Sequence, residues 1–301
     1  MFLENANSVY HVMDSDPQGS SNRLHEHEVR GRGMSGERFP NDHLLVTTDW
    51  MADHLDDPDV RIVEVTPPGS GYVFGHLPRA VYLDLGDVFT GRASGVFRTV
   101  GPLEEVAAVL GGLGVVPSEK IVVYDEIGGQ SAAQTLWLLE YLGFDDVSVL
   151  EGGIERWMAE GRPQTTAPPS VEPVLLIPSV RRDRLATAPW IVSRLDASDL
   201  CLLDCRSPEE YAEGHIPGAR NRPWDRTLTL RAYQAFREPD ELRADFLRLG
   251  VSEEKEIVTY CNTGLRSAHT YLTLRLLGYP RVRNYDASWT EWGARPDLPK
   301  A

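Results

Sequence analysis

The second half of the chain repeats the landmarks of the first half in the same order. Each landmark recurs 135 to 139 residues later. The matching pairs are Gly75-His76-Leu77-Pro78 with Gly214-His215-Ile216-Pro217, Tyr124-Asp125 with Tyr260-Cys261, Leu142-Gly143-Phe144 with Leu277-Gly278-Tyr279, and Trp157 with Trp292. Self-similarity of this kind indicates an internal duplication. We therefore expect the 301 residues to fold as two copies of one domain.

Short apolar runs alternate with segments of helical periodicity in both copies. Strands are predicted at residues 60–65, 121–124 and 147–150, and again at 201–204, 257–260 and 282–285. Helices are predicted at residues 131–142 and 267–277. Strands that alternate with helices in this rhythm build a mainly parallel sheet flanked by helices. Each copy is therefore predicted to be an α/β domain.

Shifts in composition mark the expected boundaries of these domains. The N-terminal residues are polar and lack a sustained apolar period, which predicts a flexible tail. The proline-rich stretch from Thr165 to Pro173 is typical of an extended, semi-rigid linker. The expected organisation is a tail at 1–42, a first domain at 43–165, a linker at 166–186 and a second domain at 187–301.

The charge balance argues against several classes of partner. The chain carries 30 Lys and Arg residues against 45 Asp and Glu residues, a net charge of −15. A nucleic-acid binder needs a basic stripe and an anionic membrane attracts basic segments, so neither partner is expected. The sequence shows no signal peptide and no apolar run long enough for a bilayer, which favours a cytoplasmic location. An anionic substrate would need a locally positive pocket.

One of the three cysteines lies where α/β sheets bind their ligands. Cys261 follows a predicted strand and precedes a predicted helix, at the carboxyl end of a parallel strand. Gly264 permits a tight loop whose N–H groups converge on the sulfur, and the helix start adds its positive dipole end. Arg266 adds a fixed positive charge. Because these effects favour the thiolate, we interpret Cys261 as a nucleophile.

Four segments of the second copy follow one another in a characteristic order. They are Asp204-Cys205-Arg206-Ser207-Pro208-Glu209-Glu210-Tyr211, Gly214-His215-Ile216-Pro217-Gly218-Ala219, the loop Cys261-Asn262-Thr263-Gly264-Leu265-Arg266, and Asn284-Tyr285-Asp286-Ala287-Ser288-Trp289-Thr290-Glu291-Trp292. Together with the duplication, they resemble the rhodanese family, and specifically its two-domain sulfurtransferases. The resemblance extends from about Leu44 to the C-terminus and implies two tandem rhodanese-like domains.

The resemblance implies a double-displacement reaction at Cys261. The thiolate takes the outer sulfur of a small anionic donor as a persulfide, and a thiol or cyanide acceptor then removes that sulfur. Arg206 matches a family arginine that binds the anionic group of the donor, and Arg266 is also expected to face the donor. An ion pair of Arg206 with Asp204 or Glu209 is the structural alternative. The backbone amides expected to cradle the sulfur are those of Asn262, Thr263, Gly264, Leu265, Arg266 and Ser267.

The first copy has lost the nucleophile. Asp125 stands where the second copy has Cys261, and the same offset aligns Gln130 with Arg266. Because a carboxylate cannot carry a sulfane sulfur, the first domain is expected to be non-catalytic. By resemblance, His76 matches a position that mercaptopyruvate enzymes use near their site, which suggests a proton relay.

The donor and the class of function leave several interpretations open. Arg266 suits thiosulfate, which we favour, whereas the hydroxyl of Thr263 is similar to that of 3-mercaptopyruvate enzymes. A cysteine phosphatase is disfavoured because its loop is one residue longer than the four residues between Cys261 and Arg266 here. A non-catalytic binding module is the remaining alternative.

The sequence implies no metal and no organic cofactor. It lacks a histidine and cysteine cluster with ligand spacing, and it lacks a glycine-rich phosphate loop. His25-Glu26-His27 is interpreted as part of the solvated tail. A redox partnership of Cys205 with Cys261 is a further hypothesis, at a distance that the sequence leaves unfixed.

Overall fold

Each half of the chain forms a five-stranded parallel sheet. The computed structural model describes residues 39–66, 71–229 and 235–301. The strands are β1 (Leu45–Val46), β2 (Val60–Thr66), β3 (Val81–Asp84), β4 (Lys120–Tyr124) and β5 (Val147–Leu150) in the first half, and β6 (Leu185–Ala186), β7 (Leu200–Asp204), β8 (Arg220–Asn221), β9 (Leu228–Thr229), β10 (Ala235–Phe236), β11 (Glu256–Tyr260) and β12 (Val282–Tyr285) in the second. The sheet orders are β1-β5-β4-β2-β3 and β6-β12-β11-β7-β8, while β9 and β10 pair separately in an antiparallel ladder. Corresponding strands occupy the same place in both sheets, as a duplication requires.

Helices cover both faces of each sheet. They are α1 (Thr48–Asp53), α2 (Leu85–Val88), α3 (Leu103–Gly112), α4 (Gln130–Leu142) and α5 (Gly153–Ala159), then α6 (Ala188–Val192), α7 (Pro208–Ala212), α8 (Pro239–Arg248), α9 (Leu265–Leu276) and α10 (Ser288–Trp292). Short 3₁₀ helices lie at Asp42–Leu44, Gly71–Val73, Arg182–Arg184 and Trp224–Thr227. The two helices predicted from periodicity are α4 and α9. They begin one and two residues earlier than predicted, directly after Gly129 and Gly264.

The central strands are mostly apolar because both of their faces are covered. In β4, Ile121 and Val123 point into a core under α3 and α4, while Val122 and Tyr124 point into a second core under α1 and α5. The second sheet repeats this alternation, with Ile257 on one face of β11 and other β11 side chains on the opposite face. Ligand-accessible groups are therefore restricted to the strand ends and the loops that follow them.

The two halves share one continuous core through α4 and α9. A buried polar contact crosses this core: the carboxylate of Glu140 on α4 accepts hydrogen bonds from the Tyr271 hydroxyl and from Arg275 Nη2, the latter at 3.0 Å. Burial, followed by the charge of Glu140, raises the pKa of Tyr271. The first domain is thus a packing partner of the second.

Two of the expected boundaries fall within segments that pair with the domains. Strand β6 lies inside the stretch expected as linker, because it pairs with β12. The rest of that stretch is not free of the domains either, since the Val174 N–H donates to Gly111 O and the Leu176 side chain is buried. The end of the expected tail is also attached, through the Asn41 N–H and Leu276 O at 3.1 Å. The remainder of the tail, including His25-Glu26-His27, lies outside the described residues.

We predict that Glu140→Gln lowers the free energy of unfolding by about 3 kcal/mol, because it leaves the Arg275 guanidinium, whose side chain is only 16% exposed, without its counter-charge. Urea unfolding followed by circular dichroism measures the change. Glu105→Gln is the matched control, since Glu105 pairs with Arg92 at the surface and its loss is expected to cost under about 1 kcal/mol. Equal effects of the two substitutions would contradict the prediction.

Candidate active site

Cys261 stands directly after β11, at the start of the loop that leads into α9. Its side chain is 1% exposed. The loop ends at Gly264, whose φ of +78° is the left-handed conformation that glycine tolerates best. A Cβ at this position would lie 2.8 Å from Asp286 O, so a larger residue would push the loop away from the segment after β12.

The start of α10 fixes the shape of this loop. Ser288 Oγ accepts hydrogen bonds from the N–H groups of Cys261 and Gly264, both at 3.1 Å, and donates to Tyr285 O. Trp289 N–H donates to Cys261 O at 3.0 Å, and Thr290 binds the carbonyl of the next loop residue through its N–H and its hydroxyl. Ser288 has a φ of +51°, which is strained for a residue with a side chain.

Most amides of the loop stay free for an incoming group. Among the contacts of the described residues, no acceptor is found for the N–H groups of Asn262, Thr263, Leu265, Arg266 and Ser267. The expected cradle also included the Gly264 amide, and this part of the expectation is wrong because that N–H donates to Ser288. The remaining free donors lie at the start of α9, where the helix dipole also favours an anion.

The first half shows what a loop of this type binds. The buried carboxylate of Asp125 accepts hydrogen bonds from the N–H groups of Ile127, Gly129 and Ala132 at 3.2, 2.8 and 3.0 Å. Burial raises the pKa of Asp125, and these amides oppose that shift. The first half therefore fills its own anion-binding loop with a carboxylate.

The two loops differ in length by one residue. The left-handed glycine cap Gly129 lies four positions after Asp125, whereas Gly264 lies three positions after Cys261. The helices therefore align Ser131 with Arg266, and the alignment of Gln130 with Arg266 expected from the sequence is off by one. The offset between the copies drops from 136 residues at Tyr124-Asp125 to 135 at Leu142-Gly143-Phe144, which is the sequence signal of this one-residue difference.

Arg266 forms a two-pronged ion pair beside the thiol. Its Nη1 and Nη2 donate to the Glu210 carboxylate at 2.7 and 2.8 Å, and its guanidinium also faces the Cys261 thiol. Glu210 receives further hydrogen bonds from Asn262 Nδ2 and from Ser207 N–H. The hydrogen bonds with Arg266 contribute most to lowering the pKa of Glu210 to about 2. The positive charge of Arg266 is therefore opposed by a carboxylate that stays ionised.

Arg206 lies in a different environment from the one expected. The side chain is 3% exposed, its Nε and Nη2 donate to the Asp204 carboxylate at 2.6 to 3.1 Å, and Nη2 also donates to Gly214 O. Its guanidinium lies 4.6 Å from the ring centre of Trp289. These hydrogen bonds tie the end of β7 to the turn at Gly214, so Arg206 is engaged within the fold, and the donor-binding role expected from the resemblance stays a prediction. An ion pair with Asp204 or Glu209 was the structural alternative expected for Arg206. The structure has the pair with Asp204, and Glu209 is exposed and takes no part in it.

His76 is likewise a structural residue. It is completely buried, with Nδ1 2.9 Å from Tyr72 O and Nε2 3.3 Å from Ala167 O. The ring stacks on Tyr72, and His215 stacks in the same way on Tyr211 in the second half. Because both copies share this stacking, it serves the turn that each copy contains, and the proton relay suggested for His76 stays a prediction.

Two residues of the site were not singled out from the sequence. Glu210 could have been noticed through Ser207, because the two form a capping box at the start of α7. Its partnership with Arg266, 56 positions away, depends on the tertiary structure. Ser288 lies in the closing segment that supported the resemblance, but its hydroxyl contacts depend on a left-handed backbone that serine rarely adopts.

Metal and membrane features were also searched. Within residues 39–66, 71–229 and 235–301, no group of three or more His, Cys, Asp or Glu side chains is arranged to hold a metal ion. No helix in the same residues combines the length and the hydropathy that crossing a bilayer requires.

Two segments of the chain match one known family. The rhodanese-like domain matches residues 47–160 and residues 187–295. The chain belongs to the rhodanese-like family. The prediction of two tandem rhodanese-like α/β domains is thereby confirmed.

Rhodanese relatives cover most of the chain. The sulfur carrier protein TtuD of Thermus thermophilus is 36% identical over 285 residues, which span 87% of this chain and 98% of the relative. A thiosulfate sulfurtransferase of Azotobacter vinelandii is 37% identical over 268 residues, spanning 85% and 96%. The solved structure of SseA from Escherichia coli, a 3-mercaptopyruvate sulfotransferase by its description, matches with a TM-score of 0.74 at 27% identity and covers 82% of this chain and 98% of that one. These relatives support an enzyme that transfers sulfur.

We predict that Ser288→Ala lowers the free energy of unfolding by about 1–3 kcal/mol, because two buried N–H groups lose their acceptor. Chemical denaturation measures the loss. Ser193→Ala is the control: Ser193 is exposed and only donates to Trp190 O, so a change within about 0.5 kcal/mol is expected. A Ser288→Ala protein as stable as the control would show that Ser288 does not hold the loop.

Proposed function

We propose that this protein is a sulfurtransferase that moves the outer sulfur of thiosulfate to a thiol or cyanide through a persulfide on Cys261. The observation that carries the proposal is the loop after β11, which combines a cysteine, free backbone amides and an arginine. Members of the family with this organisation are named for sulfur transfer. The Asp125 loop adds independent support, since its amides already bind a carboxylate in this same chain.

The proposed reaction has two steps that use the same sulfur atom. The Cys261 thiolate attacks the outer sulfur of thiosulfate, the S–S bond of the donor breaks, and sulfite leaves with the electron pair. Cyanide or a thiolate then attacks the terminal persulfide sulfur, and the S–S bond on Cys261 breaks to return the thiolate. The free amides of Leu265, Arg266 and Ser267 would stabilise the negative charge on the sulfur in both steps.

Arg266 is our candidate for holding the anionic end of the donor. It is the cation that faces the thiol, and its side chain is 25% exposed, so solvent reaches it. Arg206 is assigned to the fold, because its guanidinium is buried against Asp204. A doubly charged donor such as thiosulfate gains more from one arginine than a singly charged carboxylate does. This difference favours thiosulfate over 3-mercaptopyruvate.

The first test is a donor panel on the wild type and on Cys261→Ala. We expect a higher kcat/KM with thiosulfate than with 3-mercaptopyruvate, and a loss of at least about a thousandfold in Cys261→Ala because the nucleophile is removed. Treatment with thiosulfate is expected to add about 32 Da on Cys261, the mass of one sulfur atom. Cys201→Ser is the control. Cys201 is a free, buried cysteine within β7, four residues before Cys205, and its register partner on β11 is Ile257.

Each alternative has its own outcome in this panel. A higher kcat/KM with 3-mercaptopyruvate would overturn the choice of thiosulfate and leave sulfur transfer intact. Turnover of an aryl phosphate that Cys261→Ala abolishes would instead indicate a phosphatase. No turnover of any donor and no mass gain would indicate a binding module.

The second test concerns the carboxylate that opposes Arg266. We predict that Glu210→Gln lowers the KM for thiosulfate about threefold at low ionic strength, because it removes a negative charge beside the donor site. Glutamine can keep the capping box with Ser207, so the start of α7 is preserved. Glu209→Gln, an exposed neighbour on α7, is the control and should leave KM unchanged. A raised KM in Glu210→Gln would mean that Glu210 is needed to hold Arg266 in position.

A further inference from the structure

Two of the three cysteines stand side by side at the ends of neighbouring strands. Tyr260 of β11 is in register with Asp204 of β7, and the next residues are Cys261 and Cys205. The Cys205 N–H donates to Tyr260 O at 2.8 Å, so the ladder continues to this point. Adjacent strands are about 4.8 Å apart, and two cysteines can form a disulfide when their Cα atoms are about 4.4–6.8 Å apart. The backbone therefore brings the pair within bonding range.

Both side chains point to the same face of the sheet. Side chains alternate along a strand, and Cys201, Leu203 and Ile257 all lie in the core under α8 and α9. Cys205 and Cys261 continue this alternation on the α9 side. The contacts agree, because Arg266 of α9 faces the Cys261 thiol and Thr270 faces the Cys205 thiol. These α9 residues are four apart, which places them on one helix face about 5.4 Å from each other.

A buried cation lies next to the second thiol. Arg222 is 3% exposed, its charge acts on Cys205, and its Nη1 has no hydrogen-bond partner among the described residues. Burial is the main influence on Cys205 and raises the pKa of its thiol, as Cys261 and Asp204 also do to a lesser degree, whereas Arg222 opposes that shift. Arg222 Nη2 lies 3.8 Å from Asp245 Oδ2 and donates to Arg226 O, so the guanidinium is partly paired, and its positive charge favours proton loss from the Cys205 thiol.

The first half has neither member of the pair. Glu64 of β2 is in register with Tyr124 of β4, so the residues that follow them, Val65 and Asp125, correspond to Cys205 and Cys261. The half with the candidate nucleophile has a thiol at both positions, and the other half has a valine and a carboxylate. Cys201 has no such neighbour, since its register partner on β11 is Ile257.

We propose that Cys205 is a resolving thiol that forms a reversible disulfide with Cys261 when the Cys261 sulfur is oxidised by a peroxide. The proposal rests on the reactivity of Cys261 in the proposed function. Peroxide transfers one oxygen atom to the Cys261 thiolate, which becomes a sulfenic acid. The other oxygen atom of the peroxide leaves as hydroxide or water. Cys205 sulfur then attacks the sulfenic sulfur, the S–S bond forms, and the S–O bond breaks. The leaving oxygen takes the Cys205 proton and departs as water, so two thiols and one peroxide give one disulfide and two waters.

The disulfide protects the site from irreversible damage. A sulfenic acid without a neighbouring thiol reacts with more peroxide to give a sulfinic acid, which common thiol reductants do not reverse. A disulfide is reduced by a dithiol, which becomes a cyclic disulfide while both cysteines regain their protons. Oxidation would therefore pause the enzyme and not destroy it.

The test is a peptide map of the full-length protein after equimolar hydrogen peroxide and alkylation of the remaining thiols. We expect a mass about 2 Da lower before alkylation, a linked peptide that joins Cys261 to Cys205, and full recovery of both thiols with dithiothreitol. Tandem mass spectrometry distinguishes Cys205 from Cys201, which lie on one tryptic peptide. A Cys261 sulfinic acid without any linked peptide, or a link to Cys201, would overturn the proposal.

Two variants sharpen this test. In Cys205→Ala, two equivalents of peroxide, one for each oxygen atom added, should carry Cys261 to the sulfinic acid, a gain of about 32 Da that dithiothreitol does not remove. Cys201→Ser is the matched control and should still form the Cys205–Cys261 link. If Cys205→Ala does not fold, the wild-type map decides alone, because it needs no variant. The peptide map also needs no sulfur donor. A disulfide without turnover of any donor would therefore reject only the proposed function. Donor turnover without a disulfide would reject only the proposed role of Cys205 as a resolving thiol.

Discussion

The candidate site depends on one hydroxyl group. Ser288 Oγ accepts the N–H groups of Cys261 and Gly264, and thereby ties the loop after β11 to the start of α10. This contact requires a left-handed φ at Ser288, which costs conformational energy that the surrounding packing must offset. With those two amides engaged, the loop turns so that the amides at the start of α9 stay free. The anion-binding character of the loop follows from this division of its donors.

The first half has a similar loop backbone but an aspartate in place of the cysteine. Gly153 stands at the position of Ser288 with a φ of +54°, and its neighbour Ile154 donates to Asp125 O as Trp289 donates to Cys261 O. Asp125 then fills the loop with its own carboxylate, so no external anion is needed for its stability. This half packs on the other, because α4 and α9 share one core, and Glu140 accepts hydrogen bonds across it from Tyr271 and Arg275.

The charge of the site is a small local exception to a net charge of −15. Arg266 faces the thiol, and Glu210 opposes it from the first turn of α7 with a carboxylate that stays ionised over the working range of pH. An anionic donor bound here, as we propose, would meet the opposing charge of Glu210, a residue outside the loop. Arg222, like Arg206, is a buried cation of this half, and its charge acts on the Cys205 thiol.

The sequence by itself determined the duplication, the three central strands and one helix of each half, and the place of Cys261 between β11 and α9. These features follow from periodicity and from residue order, which are local properties that repeat when the chain repeats. Only the tertiary structure decided which long or polar side chains meet: Arg206 with Asp204, His76 with the linker, Arg266 with Glu210, and Ser288 with the loop. It also decided that Cys205 stands beside Cys261, since the register of two strands more than fifty positions apart is fixed by sheet packing and not by neighbours along the chain.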